Sequence, residues 1–338
     1  MSTEINSQTR TLSYVQAINE AFHLMMEKES GTFVMGVGVN SPWFVGQSLI
    51  GLHEKFGEER VIDSPVAENG ITGIAIGAAI AGMRPVMVHP RMDFMYLAMD
   101  QIVNHAASWN YMFGGKVNVP VTIRGIINRG GEQAAQHSQN LAAIFMHIPG
   151  LKVVMPATAY DAKGLLIASI MDDNPVIYID DRWLYDNEGE VPEGIYEVAI
   201  GKGIIRKKGQ DITVVATSYL VSEAMKAHEI LKKDGISSEI IDLRSLKPLD
   251  EDMIIESVKK TGRLLIADST WKTCSVAAEI SAIVASKAFK YLKAPIVRIT
   301  LPNTPAPASC SLEEIYYPRA EDIISAAKKL LKSQKEEI

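Results

Sequence analysis

A short β-branched run, Val61-Ile62-Asp63, gives way to Ser64-Pro65-Val66-Ala67-Glu68-Asn69-Gly70, followed by small residues from Ile71 to Gly82. Pro65 fixes a turn, so Glu68 falls where a helix begins. A carboxylate in a first helical turn complements the helix dipole, which is a sufficient structural reason for it. Behind it, Gly70, Gly73, Gly77, Ala78 and Ala79 make a helix with little side-chain bulk. Such a surface permits close approach of another backbone or of a flat ligand. A carboxylate at its mouth can be desolvated and used as an acid or base.

A second constellation starts at Arg124-Gly125 and runs through Asn128-Arg129-Gly130-Gly131 to Gln136-His137-Ser138-Gln139. His137 stands at a helix start after a glycine-rich loop. A histidine there can be structural or can move protons, and its place on a loop makes it a candidate for the second role. The other six histidines (His23, His53, His89, His105, His147 and His228) have no metal-ligand spacing. Gly36-Val37-Gly38-Val39-Asn40-Ser41 resembles a dinucleotide fingerprint lacking its last glycine, a weak signal alone. No P-loop, HExxH or GxSxG sequence occurs.

The elements that must hold these residues alternate. Candidate strands are Thr32 to Val39, Val61 to Asp63, Pro85 to His89, Val119 to Arg124, Val153 to Pro156 and Val176 to Asp180. Helical patterns lie between them at Tyr14 to Lys28, Gly70 to Ala81, Phe94 to Met112 and Ala159 to Met171. This alternation predicts βαβ units and a parallel sheet. In such sheets ligands gather beyond the carboxyl ends of the strands. A second alternation runs from Ile212 to Thr300, with Asp250 as an N-cap ahead of Met253, Ile254 and Val258. The expected class is α/β in two domains, residues 1–185 and 201–338. The segment 186–200, acidic and holding Pro192 with two glycines, reads as a linker.

Composition narrows the function classes. At 338 residues the chain has room for two domains, and 47% hydrophobic against 22% charged residues argues against disorder. The apolar stretch Ile71 to Met83 is far short of the ~20 residues of a membrane-spanning helix. A net charge of −6 gives no support for nucleic-acid binding. The polar, acidic start of the chain carries no signal-peptide pattern. Cys274 and Cys310 are the only cysteines, which leaves neither a disulfide framework nor a cysteine-rich zinc site. A reduced, cytoplasmic setting is expected.

Taken together, the motifs resemble those of the beta subunits of thiamine-diphosphate-dependent 2-oxo acid dehydrogenases, such as pyruvate and branched-chain 2-oxo acid dehydrogenase. The resemblance runs from about Thr11 to Ala327. It is carried by DSPVAENGITGIAIGAAIAGMRPV (Asp63 to Val86), DFMYLAMDQIVNHAA (Asp93 to Ala107), QHSQ (Gln136 to Gln139) and PGLKVVMPATAYDAKGLL (Pro149 to Leu166). DDNPVIY (Asp172 to Tyr178), IDLRSLKPLD (Ile241 to Asp250) and KTGRLLIAD (Lys260 to Asp268) continue it. Their order and spacing make it specific.

The resemblance implies a parallel-sheet, transketolase-like pyrimidine-binding domain followed by a transketolase C-terminal-type α/β domain. It also implies an α2β2 heterotetramer with thiamine diphosphate between alpha and beta subunits. Glu68 matches the glutamate that hydrogen-bonds N1′ of the aminopyrimidine, favouring the imino tautomer whose 4′-nitrogen removes the thiazolium C2 proton. Phe94 matches the aromatic that stacks on the pyrimidine, although core packing at a helix start would account for it equally. His137 matches the histidine that supports acyl transfer to a lipoyl-bearing acyltransferase. A structural potassium ion is implied around Val121, Ser169, Ile170, Asp172 and Asn174, held mostly by carbonyls. The Gly-Asp-Gly motif for diphosphate and Mg2+ belongs to the family's alpha subunit, and none occurs here. This chain is therefore expected to act only with an alpha partner on a small 2-oxo acid.

The sequence departs from the family pattern in three loops. It has Met87-Val88-His89-Pro90-Arg91 where an acidic residue is usual, Ile126-Ile127-Asn128-Arg129 where proline is frequent, and Asp181-Arg182-Trp183 where glutamate is frequent. His89, Arg91, Arg129 and Arg182 are thereby expected near the cofactor crevice. They point to a substrate more anionic or hydroxylated than pyruvate, or else to pairing with Asp93, Asp181, Glu132 or the alpha subunit. Two other functions fit the same residues: a subunit of a split transketolase- or carboligase-type enzyme without lipoyl partner, and a non-catalytic interaction subunit.

Overall fold

The computed structural model describes residues 9–41, 43, 45–131 and 133–332. They form two compact units. One comprises the chain up to Ile127 together with Ile148–Ile200, the other Asn128–His147 together with the chain from Gly201 onward.

Among the described residues, eight strands belong to the first unit: β1 (Thr9–Ser13), β2 (Thr32–Gly36), β3 (Val61–Asp63), β4 (Arg84–His89), β5 (Thr122–Ile127), β6 (Lys152–Val154), β7 (Val176–Asp181) and β8 (Glu188–Pro192). Six of them lie side by side in the order β6-β7-β5-β4-β2-β3, every neighbour parallel. β2, β5 and β7 are buried along their whole length, as strands covered on both faces must be. β1 and β8 pair antiparallel, with Thr9 opposite Pro192, so the segment read as a linker contains a strand.

Local chemistry sets the helices. Ser13 and Gln16 form a reciprocal capping box that starts helix Tyr14–Lys28. Its apolar stripe Ala17, Ile18, Ala21, Phe22 and Met25 is buried at helical spacing and packs against helix Ala159–Met171. In β2, Gly36 is required by close approach: a Cβ there would stand 2.3 Å from the Val88 carbonyl oxygen. After Gly36 the chain turns instead of entering a helix. Gly38, at φ 70°, donates its amide to Asp63 Oδ1 at 2.6 Å, so the context of a dinucleotide fingerprint is missing.

The helix expected over Phe94 to Met112 is three elements. A 3₁₀ helix spans Met92–Ala98, a π-helical segment Asp100–Ala106 and an α-helix Ala107–Met112. Gly125 of β5 allows the first of these to sit on the sheet, since a Cβ there would come 2.6 Å from Met95 Sδ and 3.2 Å from Met92 Cγ.

The second unit has β9 (Ile204–Lys207), β10 (Ile212–Ala216), β11 (Ser238–Asp242), β12 (Ser245–Lys247), β13 (Leu264–Trp271) and β14 (Val297–Leu301). Five form a sheet in the order β14-β13-β10-β11-β9, parallel except for β9 against β11. Asp250 caps helix Glu251–Thr261 by accepting from the Met253 amide at 3.5 Å, as the sequence predicts. Among the described residues, no helix is long and apolar enough to cross a membrane.

Candidate active site

Glu68 is the first residue of helix Glu68–Ile80, and its N-cap, Ala67, offers no side-chain cap. The residue is 8% exposed, and no described residue hydrogen-bonds or ion-pairs with its carboxylate. Its oxygens are therefore available to a donor from outside the described residues. One face of the helix is correspondingly open. A Cβ at Gly70 or Gly77 would meet no atom within 4 Å, and Ile74 between them is 59% exposed. An orphan carboxylate at the end of a thin, open helix face fits a flat ring bearing a protonated nitrogen.

Thr72, one turn further along, lies 3.4 Å from Nε2 of His89, which ends β4. Burial pushes the His89 pKa down to about 4, so its ring is neutral at pH 7 and adds no cation. Positive charge in this region comes instead from Arg91 and Arg182. Arg91 opens the 3₁₀ helix, donating from Nη1 to the Pro90 carbonyl, and its carbonyl accepts from the Phe94 amide at 3.2 Å. Phe94 itself is half-buried between the buried Met92 and Met95. The Arg182 guanidinium lies 5.6 Å from the centre of the Tyr185 ring. It is seated against Gly46, where a Cβ would stand 2.5 Å from Nη2 and where φ is +57°. Burial, and then the neighbouring Arg182, lower the Arg91 pKa, so the two guanidiniums lie within electrostatic reach of each other.

Sequence reading missed the ion pair beneath them. Arg124 donates from Nε to Asp180 Oδ1 at 3.0 Å and from Nη2 to Oδ2 at 2.8 Å, with both side chains fully buried. Ser48 Oγ accepts from Nη1 at 2.8 Å, and the Tyr185 hydroxyl donates to Asp180 Oδ2 at 2.6 Å. Coulombic attraction to Asp180 holds the guanidinium charged against its desolvation. An arginine inside an apolar strand was the available signal, but its partner is 56 residues away.

Two of the residues implied in potassium binding meet another cation, Arg84. The carbonyls of Ile170 and Asp172 both accept from Nη1 of Arg84 at 3.0 Å, and its Nη2 reaches Asp173 Oδ1 at 2.7 Å. Asp172 also ion-pairs with Lys152 and accepts the Asn174 amide, while Val121 O accepts from the Val176 amide and Ser169 Oγ donates to Leu165 O. The Ile170 and Asp172 carbonyls thus converge on positive charge, and each retains a second lone pair. Among the described residues, no group of three His, Cys, Asp or Glu side chains could hold a metal ion.

His137 and Arg129 belong to the second unit. His137 ends the short helix Ala134–His137 and is partly exposed. The loop before it turns through Gly130, Gly131 and Ala134, all at positive φ. Arg129 is 5% exposed and lies between the Tyr219 and Tyr317 rings, 5.1 and 5.5 Å from their centres. In the same unit, a groove of about 990 Å³ runs beside Asn140, Ile144, Trp271 and Ile283, and neither His137 nor Arg129 lines it.

Comparison with known proteins finds two family domains in the chain, and residues 128–147, which pack with the second unit, fall inside the first of them. The family model for the transketolase pyrimidine-binding domain matches residues 10–187, and that for the transketolase C-terminal domain matches 201–323. The chain is 44% identical over 337 residues to the acetoin:2,6-dichlorophenolindophenol oxidoreductase subunit beta of Cupriavidus necator, covering 96% of this chain and 99% of the relative. It is 43% identical to the pyruvate dehydrogenase E1 component subunit beta of Rickettsia bellii, covering 93% and 97%. The 2-oxoisovalerate dehydrogenase subunit beta of Bacillus subtilis is 41% identical, with 94% and 97% covered. Among solved structures, a split-gene transketolase in an inactive beta4 tetramer is similar in fold, with a TM-score of 0.77 at 20% identity over 96% of this chain and 99% of the other.

Proposed function

The chain belongs to the beta subunits of the thiamine-diphosphate-dependent 2-oxo acid dehydrogenases, and from that premise we propose that it supplies the pyrimidine side of an active site completed by an alpha subunit. The assembly is α2β2. It decarboxylates a 2-oxo acid, or cleaves a related hydroxy ketone, and passes the acyl group to a lipoyl-bearing acyltransferase. The observation that carries this reading is the mostly buried Glu68, without a partner among the described residues, at the head of an open glycine-lined helix.

When bound, thiamine diphosphate supplies the electron sink for cleavage next to a carbonyl. Glu68 would share a proton between its carboxylate and a ring nitrogen of the bound group, the role of a positioned acid-base side chain. Phe94 offers a flat face for stacking. His137 moves a proton at its imidazole during acyl transfer. Mg2+ and the diphosphate fall to the alpha subunit, since this sequence has no Gly-Asp-Gly. A potassium ion at Val121, Ser169, Ile170, Asp172 and Asn174 rests on the resemblance alone, since the Ile170 and Asp172 carbonyls accept from Arg84.

Arg91 and Arg182 support a substrate more anionic or more hydroxylated than pyruvate. The acetoin-oxidising relatives give that reading a concrete hydroxylated candidate. Assay of the assembled enzyme with pyruvate, 2-oxoisovalerate, acetoin and a 2-oxo dicarboxylate tests it, and pyruvate giving the highest kcat/KM would overturn it. For the catalytic assignment, Glu68→Gln is expected to slow C2-proton exchange at least a hundredfold in the assembled enzyme, roughly the worth of a positioned acid-base group. Unchanged exchange would remove Glu68 from its role.

A further inference from the structure

The loop that presents His137 follows β5 in sequence yet packs with the second unit. The chain leaves the first unit after Ile127 and returns to it at Ile148. At the start of this excursion Arg129 is buried between two aromatic rings, Tyr219 at the head of helix Tyr219–Lys233 and Tyr317 just after helix Cys310–Tyr316. Its charge also acts on Asp268 of β13. Asp268 is itself held rigid, accepting from the Thr270 amide at 3.0 Å, the Thr270 hydroxyl at 2.7 Å and the Ala277 amide at 2.9 Å. Beyond His137 the loop is tied again. Asn140 Nδ2 donates to Ser269 Oγ at 2.9 Å, next to Asp268 in sequence, and Asn140 Oδ1 accepts from the Ala142 amide at 3.0 Å.

Between these ties the backbone has little intrinsic order. Gly130 and Gly131 take φ values of 67° and 60°, Ala134 takes 54°, and helix Ala134–His137 has four residues, too few to be stable alone. The position of His137 must therefore come from its anchors rather than from the loop.

We infer that Arg129 is a positioning residue: clamped between the Tyr219 and Tyr317 rings, it fixes the entrance of the His137 loop on the second unit. A guanidinium suits this work because a buried cation is attracted to the faces of aromatic rings. Arg129 thus serves the acyl-transfer step through His137, without contact with substrate, and that functional consequence rests on the proposed role of His137.

The test uses the assembled enzyme. Arg129→Met keeps length and apolar contact but removes the charge and the planar group. Amide hydrogen exchange over residues 130–139 is expected to rise at least about tenfold, while strands β5 and β7 keep their protection. Acyl transfer to lipoyl is expected to fall about tenfold or more with little change in decarboxylation read by an artificial electron acceptor. Arg129→Lys restores part of both, since charge returns without the plane. Tyr317→Phe keeps the ring and leaves loop exchange unchanged, whereas Tyr317→Leu raises it. Unchanged exchange over 130–139 in Arg129→Met overturns the clamp, as does an equal rise throughout both units. His137→Ala separates the underlying reading: equal losses in both half-reactions would refute its acyl-transfer role while leaving the exchange result to judge the clamp.

Discussion

His89 makes the burial at the carboxyl end of the first sheet measurable. It ends β4, is 2% exposed, and its pKa is pushed down to about 4 by burial alone. A base whose native pKa lies below its ordinary value of about 6.5 resists protonation when folded. As pH falls through 6.5 the unfolded chain takes up the proton first, and stability declines until the native pKa near 4 is reached. At about 1.36 kcal/mol per pKa unit the whole window is worth about 3 kcal/mol, of which about 2 kcal/mol is lost between pH 7 and pH 5. For a unit of this size that corresponds to roughly 4–8 °C in Tm. His89→Leu removes the titration and gives up the 3.4 Å contact with Thr72, a loss that does not vary with pH. Thermal unfolding of the whole chain at both pH values should show the wild type losing about 2 kcal/mol more than His89→Leu. Parallel pH profiles for the two proteins would refute the reasoning, and would return His89 to the set of charges available to an anionic substrate.

Two further outcomes follow from buried charge. Arg124→Met leaves Asp180 buried with only the Tyr185 hydroxyl and should lower stability by about 3–5 kcal/mol, whereas Arg124→Met with Asp180→Leu should recover much of the loss. A double-mutant cycle by thermal unfolding measures this, and additive losses would show that the pair does not act as a unit. Replacing potassium by tetramethylammonium should lower the Tm of the assembled enzyme by a few degrees, about 1–2 kcal/mol of linked binding. The same Tm in both salts would remove the ion from the carbonyl cluster of Ile170 and Asp172.

Much of the architecture was legible along the chain because it depends on neighbours. Strands alternating with helices, the cap at Asp250 and the helix start at Glu68 follow from residue type and short spacing, and the structure has them. The run from Phe94 to Met112 was not resolved by its periodicity. Apolar spacing reports that a stretch coils on one face, but it does not separate 3₁₀, α and π turns, which packing over Gly125 and beside Gly73 decides here. Strand β8 lies in a segment rich in turn-forming residues, and its order comes from pairing with β1, about 180 residues earlier.

Residue order establishes which chemical groups are present: a carboxylate at a helix mouth, a histidine on a glycine-rich loop, and arginines in the loops after three strands. Only the tertiary structure decided their states. It left Glu68 without a partner among the described residues, made His89 neutral, joined Arg124 to Asp180, and set Arg129 between two aromatic rings within the second unit. The reason is physical. Residue type and local conformation are set by adjacent covalent neighbours, whereas desolvation, ion pairing and stacking depend on groups that only folding brings within a few ångströms.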